Sequence, residues 1–190
     1  MKLLIVLFLL CSSLFTRAQN DLRNNDVFYS ISIGAGIGKS PNIENGKYGT
    51  GGIIDFTLQK NKSLASIGFH GTGEFEFLAP NYPANTMTSI DLLYGKVLTN
   101  KKVTISVHTG IGLVGSLERG KFLYSDPGLF GASHYQKVRS FTVGLPISSK
   151  ALISLSKHFG LGLEGYININ SKNTFYGLNL CATFKKYKFR

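Results

Sequence analysis

The stretch KVTISVHTGIGLVG, residues 102–115, alternates apolar side chains with small or polar ones along most of its length. Successive side chains of a β-strand point to opposite sides, so this alternation gives a strand one apolar and one polar face. A helix would instead repeat its apolar residues at spacings of three and four. The stretch therefore predicts a β-strand that separates two unlike environments.

The same alternation recurs in about eight runs, and after Gln19 no stretch of twelve or more residues keeps a helical period. The runs lie near residues 26–39, 51–59, 64–77, 87–98, 102–115, 138–155, 159–169 and 175–184. The connections are short near 60–63, 99–101 and 156–158, whereas 40–50, 79–86 and 116–137 are predicted to be longer loops. Short turns at one end and long loops at the other are typical of membrane barrels. We therefore predict an all-β, antiparallel, up-and-down transmembrane β-barrel of about eight strands.

The amino-terminal residues have the layout of a secretory signal peptide. Lys2 precedes an apolar run, and Thr16 and Ala18 are small residues at the −3 and −1 positions of a cleavage site. The apolar run is shorter than the roughly 20 residues of a membrane-spanning helix. We expect residues 1–18 to be a cleaved signal peptide and 19–190 to be the barrel domain. A lipoprotein signal acylated at Cys11 is the alternative, although the preceding Leu10 is bulky for that motif.

The composition narrows the class of protein. With 43% apolar residues the chain is too apolar to be disordered, and 16% charged residues is few for a soluble domain. The formal net charge is +11, but an exported chain rarely meets nucleic acid and no basic patch is interleaved with aromatics. We expect no nucleic-acid partner.

The polar face of the runs is rich in glycine and serine, which suits the narrow interior of a small barrel. Long charged side chains are instead concentrated in the short turns and at the carboxyl end. Aromatic residues near the short-turn ends fit an interfacial girdle. They are Tyr29, Phe56, Tyr94, Phe159 and Phe184. The apolar face is therefore predicted to point outward to lipid; the alternative is a soluble, lipocalin-like periplasmic barrel that binds an apolar ligand inside.

Four segments resemble the outer-membrane β-barrel domain family of small, OmpA-like or porin-like exported proteins. They are IDLLYGK at 90–96, GLP at 144–146, SKHFGLGL at 156–163 and ININSKN at 167–173. The resemblance covers most of the chain after the signal peptide. It implies a barrel fold and an outer-membrane location, and it implies no defined activity. Phe189 is followed by Arg190, whereas barrels of this family usually end on an aromatic residue.

Charged side chains on the inward face form the candidate site, because a charge in a narrow lumen must be paired or hydrated. The candidate residues are Asp55, Glu74, Asp91, His108, Lys150 and Glu164. Lys150 is the cation that can pair with one of the acids, which leads to the hypothesis of a packed polar lumen rather than an open pore. The alternative is that some of these residues lie near the rim and are simply hydrated. His70 is also expected to face the lumen.

No cofactor, metal site or catalytic set is predicted, because the four histidines show no spacing typical of metal ligands. We therefore expect a non-enzymatic protein of the cell outer membrane. The alternative is a lipid-modifying hydrolase, for which Ser133 and His134 in the long loop are the candidates. The expected partners are outer-membrane lipid and lipopolysaccharide, and a protein that binds loop 116–137.

Overall fold

The computed structural model of the chain describes residues 27–41, 48–74, 84–99, 103–126 and 133–187. The predicted signal peptide, the carboxyl-terminal Phe189–Arg190 pair and the centre of the loop at 79–86 lie outside the described residues. The described chain forms eight strands. They are β1 (Val27–Lys39), β2 (Gly49–Lys60), β3 (Ser63–Gly73), β4 (Thr86–Thr99), β5 (Val103–Ser125), β6 (Ser133–Ser154), β7 (Phe159–Asn170) and β8 (Phe175–Tyr187).

Each strand pairs antiparallel with the next along the chain, and β1 closes the ring against β8. Ser32 illustrates the closure, since it lies opposite Asp55 of β2 on one side and Thr183 of β8 on the other. The Ser32 and Thr183 hydroxyls are 2.8 Å apart inside the barrel. The predicted all-β, eight-stranded, up-and-down barrel is confirmed.

The two faces of the strands meet opposite environments, as the alternation predicts. Isoleucine, leucine, valine and phenylalanine side chains cover the outside, with Leu113 66% exposed and Phe141 82% exposed. The inside holds many serine, threonine, asparagine and charged side chains, and Asp91 and Asn168 have no exposed surface. A smaller apolar cluster, which includes Met87 and Phe175, is also buried there. The lumen is therefore mainly polar, unlike the apolar pocket of a lipocalin-like barrel.

One end of the barrel has tight turns and paired aromatics. Asn61, in the two-residue turn between β2 and β3, has a φ of 55°, which asparagine tolerates better than most residues. On the outer surface near this end, the ring centroids of Tyr29 and Phe56 are 6.3 Å apart, and those of Phe159 and Phe184 are 5.3 Å apart. These pairs are among the aromatic residues predicted to form the girdle.

The prediction of a long loop at 116–137 is wrong over most of its length. β5 continues to Ser125 and β6 begins at Ser133, so most of this segment is a two-stranded hairpin that extends beyond the other strands. Its alternation is hidden because the β5–β6 pairing shifts register between Arg119 and Phe122 and again before Tyr124. Each bulge changes which residues share a face. We call residues 117–126 and 133–139 the β5–β6 hairpin.

Pro146 lies within β6, where it has no N–H to donate to a neighbouring strand. The β5–β6 pairing runs up to Thr109 opposite Ile147 and resumes at Gly112 opposite Gly144. The Thr109 hydroxyl donates to the Pro146 carbonyl oxygen at 3.1 Å. The strand therefore continues past the proline with a local interruption of its pairing to β5.

Within the described ranges there is no helix that is both long and apolar enough to cross a membrane.

Candidate functional site

The site lies in the middle of the lumen, where inward residues of six strands meet. Lys150 of β6 is its main cation, and its Nζ donates to the carboxylate of Asp55 on β2. The same Nζ lies 3.3 Å from Oε2 of Glu164 on β7 and 3.1 Å from the Ser32 hydroxyl on β1. All four side chains are buried. Lys150 and Glu164 are neighbours in register, whereas Asp55 faces them from across the barrel.

His70 of β3 continues the network on the other side of Glu164. Its Nε2 is 3.3 Å from Glu164 Oε1, and its Nδ1 is 2.8 Å from Oδ2 of Asp91 on β4. A carboxylate can only accept, so both ring nitrogens donate at once only in the doubly protonated imidazolium. The geometry therefore suits a cationic His70 between two carboxylates.

Asp91 is held by neutral donors as well. Ser89 donates to Asp91 Oδ2 at 3.0 Å, and the Tyr166 hydroxyl of β7 donates to the same oxygen at 2.8 Å. Tyr166 also stacks on His70, with ring centroids 3.7 Å apart and an interplanar angle of 11°. Asn168 donates from Nδ2 to the Tyr166 hydroxyl at 3.0 Å. The result is one continuous polar chain from Asp55 to Asn168 across the lumen.

Glycines make the space that this chain occupies. A Cβ atom at Gly112 would lie 2.0 Å from Asp91 Oδ1, and one at Gly144 would lie 2.0 Å from Asn168 Oδ1. Both distances are far below van der Waals contact, so a side chain at either position would displace a member of the network. The small residues of the polar face are therefore the complement of its large polar side chains.

Glu74 does not belong to the central network. It follows β3 at the long-loop end, where Arg119 of the β5–β6 hairpin donates from Nη2 to Glu74 Oε2 at 2.6 Å. Asn85, just before β4, donates to the same carboxylate from its backbone N–H at 3.1 Å and from Nδ2 at 2.8 Å. This rim cluster of Glu74, Asn85 and Arg119 ties the start of the hairpin to the β3–β4 connection.

His108 lies in the lumen but outside the chain of ion pairs. Its Nδ1 is 3.4 Å from the Ser148 hydroxyl, a weak contact, and its buried Nε2 has no partner among the described residues. Asp91 Oδ1 is likewise buried without a described partner. Cys181, also buried, has its Sγ 3.7 Å from Glu164 Oε2.

The structure thus brings together four of the six candidate residues: Asp55, Asp91, Lys150 and Glu164. It places Glu74 at the rim and leaves His108 at the margin. His70 and Tyr166 are absent from the candidate set, although their positions in the alternation already turn them inward. The sequence holds no signal for Arg119, because it lies in the segment predicted to be a loop.

The two candidate hydrolase residues lie at the outer part of the β5–β6 hairpin. Ser133 begins β6, and His134 Nε2 is 3.1 Å from Asp126 Oδ2, with both side chains open to solvent. His134 also stacks on Tyr124, with centroids 4.3 Å apart. The described contacts of His134 include this carboxylate but not the Ser133 hydroxyl. Across the described ranges, no three histidine, cysteine or acidic side chains are grouped so as to hold a metal ion.

Comparison with known proteins identifies the fold. No family model and no curated protein matches the sequence. Ail, an outer membrane protein of Yersinia pestis solved with the heparin analogue sucrose octasulfate, is 16% identical with a TM-score of 0.57. The match covers 85% of this chain and 99% of that chain. Neisserial surface protein A is 12% identical with a TM-score of 0.55, over 85% of this chain and 97% of that chain. The chain therefore has the fold of small outer-membrane β-barrels.

Proposed function

We propose that this eight-stranded barrel is a non-enzymatic protein of the outer membrane. Its lumen network closes the barrel to solutes, and the barrel anchors the β5–β6 hairpin at the cell surface. Its partners are the lipid and lipopolysaccharide around the apolar belt and a protein that binds the hairpin. The export signal at residues 1–18 belongs to the same proposal.

The observation that carries the closed lumen is the set of contacts made by Lys150 and His70. Together they join carboxylates on β2, β4 and β7 across the interior. Opening a path would separate buried charges from their partners, which costs about 3–5 kcal/mol for each broken pair. A small cavity borders His70 and is lined in part by Thr72 and Asn179. A barrel of eight strands has little space beyond its own side chains.

The outer surface supports a membrane location. Exposed aliphatic and aromatic side chains form a continuous band around the barrel, as on Ile54 of β2, Leu92 of β4 and Leu180 of β8. A soluble monomer rarely exposes so large an apolar surface. The strands have 11 or more residues, enough to cross about 25 Å of hydrocarbon when tilted.

The location is tested by fractionating cells that express the full chain, followed by electrophoresis of boiled and unboiled membranes. We expect the protein in the detergent-extracted outer membrane, with a mobility that changes on heating. Recovery as a soluble periplasmic protein would contradict the proposal.

The closed lumen is tested by conductance of the full chain in planar bilayers. We expect no large steady conductance from the native protein. Lys150→Ala removes the central cation and leaves Asp55 and Glu164 facing each other without it, so this variant should show frequent open events. Lys172→Ala, which removes an exposed lysine from the β7–β8 turn, is the matched control. A steady pore in the native protein would rule out the closed lumen and leave the membrane location standing.

A further inference from the structure

The outward face of β6 changes from apolar to basic in one step. From the short-turn end the outward residues are mainly aliphatic up to Val143, followed by Phe141. The next two outward positions are Arg139 and Lys137, both exposed. On the partner strand, Leu113 lies opposite Val143 and Leu117 lies opposite Arg139, so β5 is still apolar at the level where β6 becomes basic.

The height of this step can be estimated from strand geometry. Phe141 is 12 residues from Ile153, the exposed apolar residue near the short-turn end of β6. At about 3.3 Å a residue and a tilt of about 40°, this separation is roughly 30 Å along the membrane normal. The hydrocarbon belt of such barrels is about 25 Å tall. The row from Ile153 to Phe141 therefore spans the whole belt, which puts Phe141 at or just above its far boundary and Arg139 and Lys137 in the headgroup layer.

A third exposed cation, Lys172, lies in the neighbouring turn between β7 and β8. Ser171, in the turn between β7 and β8, has its hydroxyl 2.8 Å from that of Thr142 on β6, which places this turn against the strand. Lys172 is the next residue of the turn and is exposed. The nearest acid on the partner strand, Glu118, lies opposite Val138 and accepts from the Ser116 hydroxyl at 3.3 Å, on the other face of the sheet. Among the described residues of β6, the outward row beyond Phe141 holds no carboxylate.

We propose that Arg139, Lys137 and Lys172 form a docking surface for the phosphate groups of the outer-leaflet glycolipid, lipopolysaccharide. The inference rests on the proposed function, because that location puts the long-loop end in the outer leaflet. Guanidinium pairs phosphate through two parallel hydrogen bonds, and ammonium groups add point charges. Phe141 lies directly below these cations, where its ring contacts the first carbons of the acyl chains. The cations lie further from the membrane centre than the apolar row, just as the phosphorylated sugar of the glycolipid lies further out than its acyl chains.

The test measures lipid A binding to the full chain refolded in neutral detergent micelles, by native mass spectrometry across a lipid titration. The double variant Arg139→Gln/Lys137→Gln should raise the Kd for bisphosphorylated lipid A at least about tenfold. The control Lys60→Gln/Lys62→Gln makes the same change in net charge at the short-turn end and should leave the Kd unchanged. Dephosphorylated lipid A should bind native protein and the Arg139→Gln/Lys137→Gln variant alike. Inorganic phosphate at the same concentrations should not compete.

The outcomes separate this inference from the proposed function. The docking surface alone is overturned if the protein forms a heat-modifiable barrel but Arg139→Gln/Lys137→Gln leaves the lipid A affinity unchanged. It is also overturned if the affinity falls equally in the two double variants. Competition by inorganic phosphate would likewise overturn a glycolipid as the occupant. A native chain that forms no detergent-dependent barrel overturns the proposed function, and the docking surface with it.

Discussion

β5 and β6 run through two regions, the barrel wall and the β5–β6 hairpin, and different contacts stabilise the two strands in each. Inside the barrel each strand is paired on both sides, and its inward side chains, such as Lys150, are buried in a shared network. In the hairpin, described pairing of β5 to β4 ends at Leu117 and that of β6 to β7 ends at Gly144. Beyond those points the two strands pair with one another, with two register shifts. Apolar and polar residues therefore alternate regularly where the two faces of a strand meet lipid and lumen. The alternation is lost in the hairpin, where both faces meet water.

The largest expected effect is the loss of the central cation. Lys150→Met should lower the free energy of unfolding in lipid vesicles by about 3–5 kcal/mol, because Asp55 would stay buried without a cation and Glu164 would keep only His70. Urea unfolding followed by heat-dependent mobility measures the change. Adding Asp55→Asn to the same chain should recover at least half of the loss, since the uncompensated charge is then removed. No recovery would mean that packing, rather than charge, sets the role of Lys150.

The close approach of β4 and β5 should give the next largest effect. A Cβ atom at Gly110 would lie 1.8 Å from the Leu92 carbonyl oxygen, so Gly110→Ala must push the strands apart. We expect a loss of about 1–3 kcal/mol in unfolding free energy. Gly165→Ala is the matched control, because a Cβ there meets nothing within 4 Å. Equal losses for the two variants would contradict the steric explanation.

The rim cluster should contribute less to global stability and more to local order. Arg119→Gln removes the ion pair with Glu74, and we expect a loss of about 1 kcal/mol, since the Asn85 hydrogen bonds to that carboxylate remain. Hydrogen exchange should show faster exchange at the Asn85 amide and in the hairpin, with the β7 amides unchanged. Faster exchange throughout the barrel would show that the rim cluster stabilises the whole molecule.

The smallest effect is expected from the outer hairpin. Replacing residues 121–135 with a two-residue Asn-Gly turn should change the unfolding free energy by less than about 0.5 kcal/mol, because described pairing there is confined to the hairpin itself. The replacement also removes the Asp126–His134 pair. A loss of unfolding free energy close to that of Lys150→Met would show that the hairpin unfolds together with the barrel. It would contradict the separation of the hairpin from the barrel wall.

Alternation predicts the eight strands within the barrel and the direction of their side chains, but it misses the outer parts of β5 and β6. Ser32, Asp55 and His70 all lie inward because a period of two leaves each residue a single choice of face. It could not predict partners across the lumen: Lys150 reaches Asp55 over a separation of 95 residues, which depends on the curvature and stagger of the closed barrel. Glu74 lies at the rim, which the sequence leaves open as an alternative, because its distance from the lumen centre depends on where β3 ends.

The bond between Ser32 and Thr183 joins positions 151 residues apart in the chain. Until β8 arrives, the edge of β1 that will receive it stays open, and an open edge readily pairs with the wrong strand of another molecule. β8 is also the last of the eight strands to be synthesised. The barrel can therefore close only once β8 has been made, and a chain truncated before β8 should accumulate as aggregation-prone material rather than as a smaller barrel.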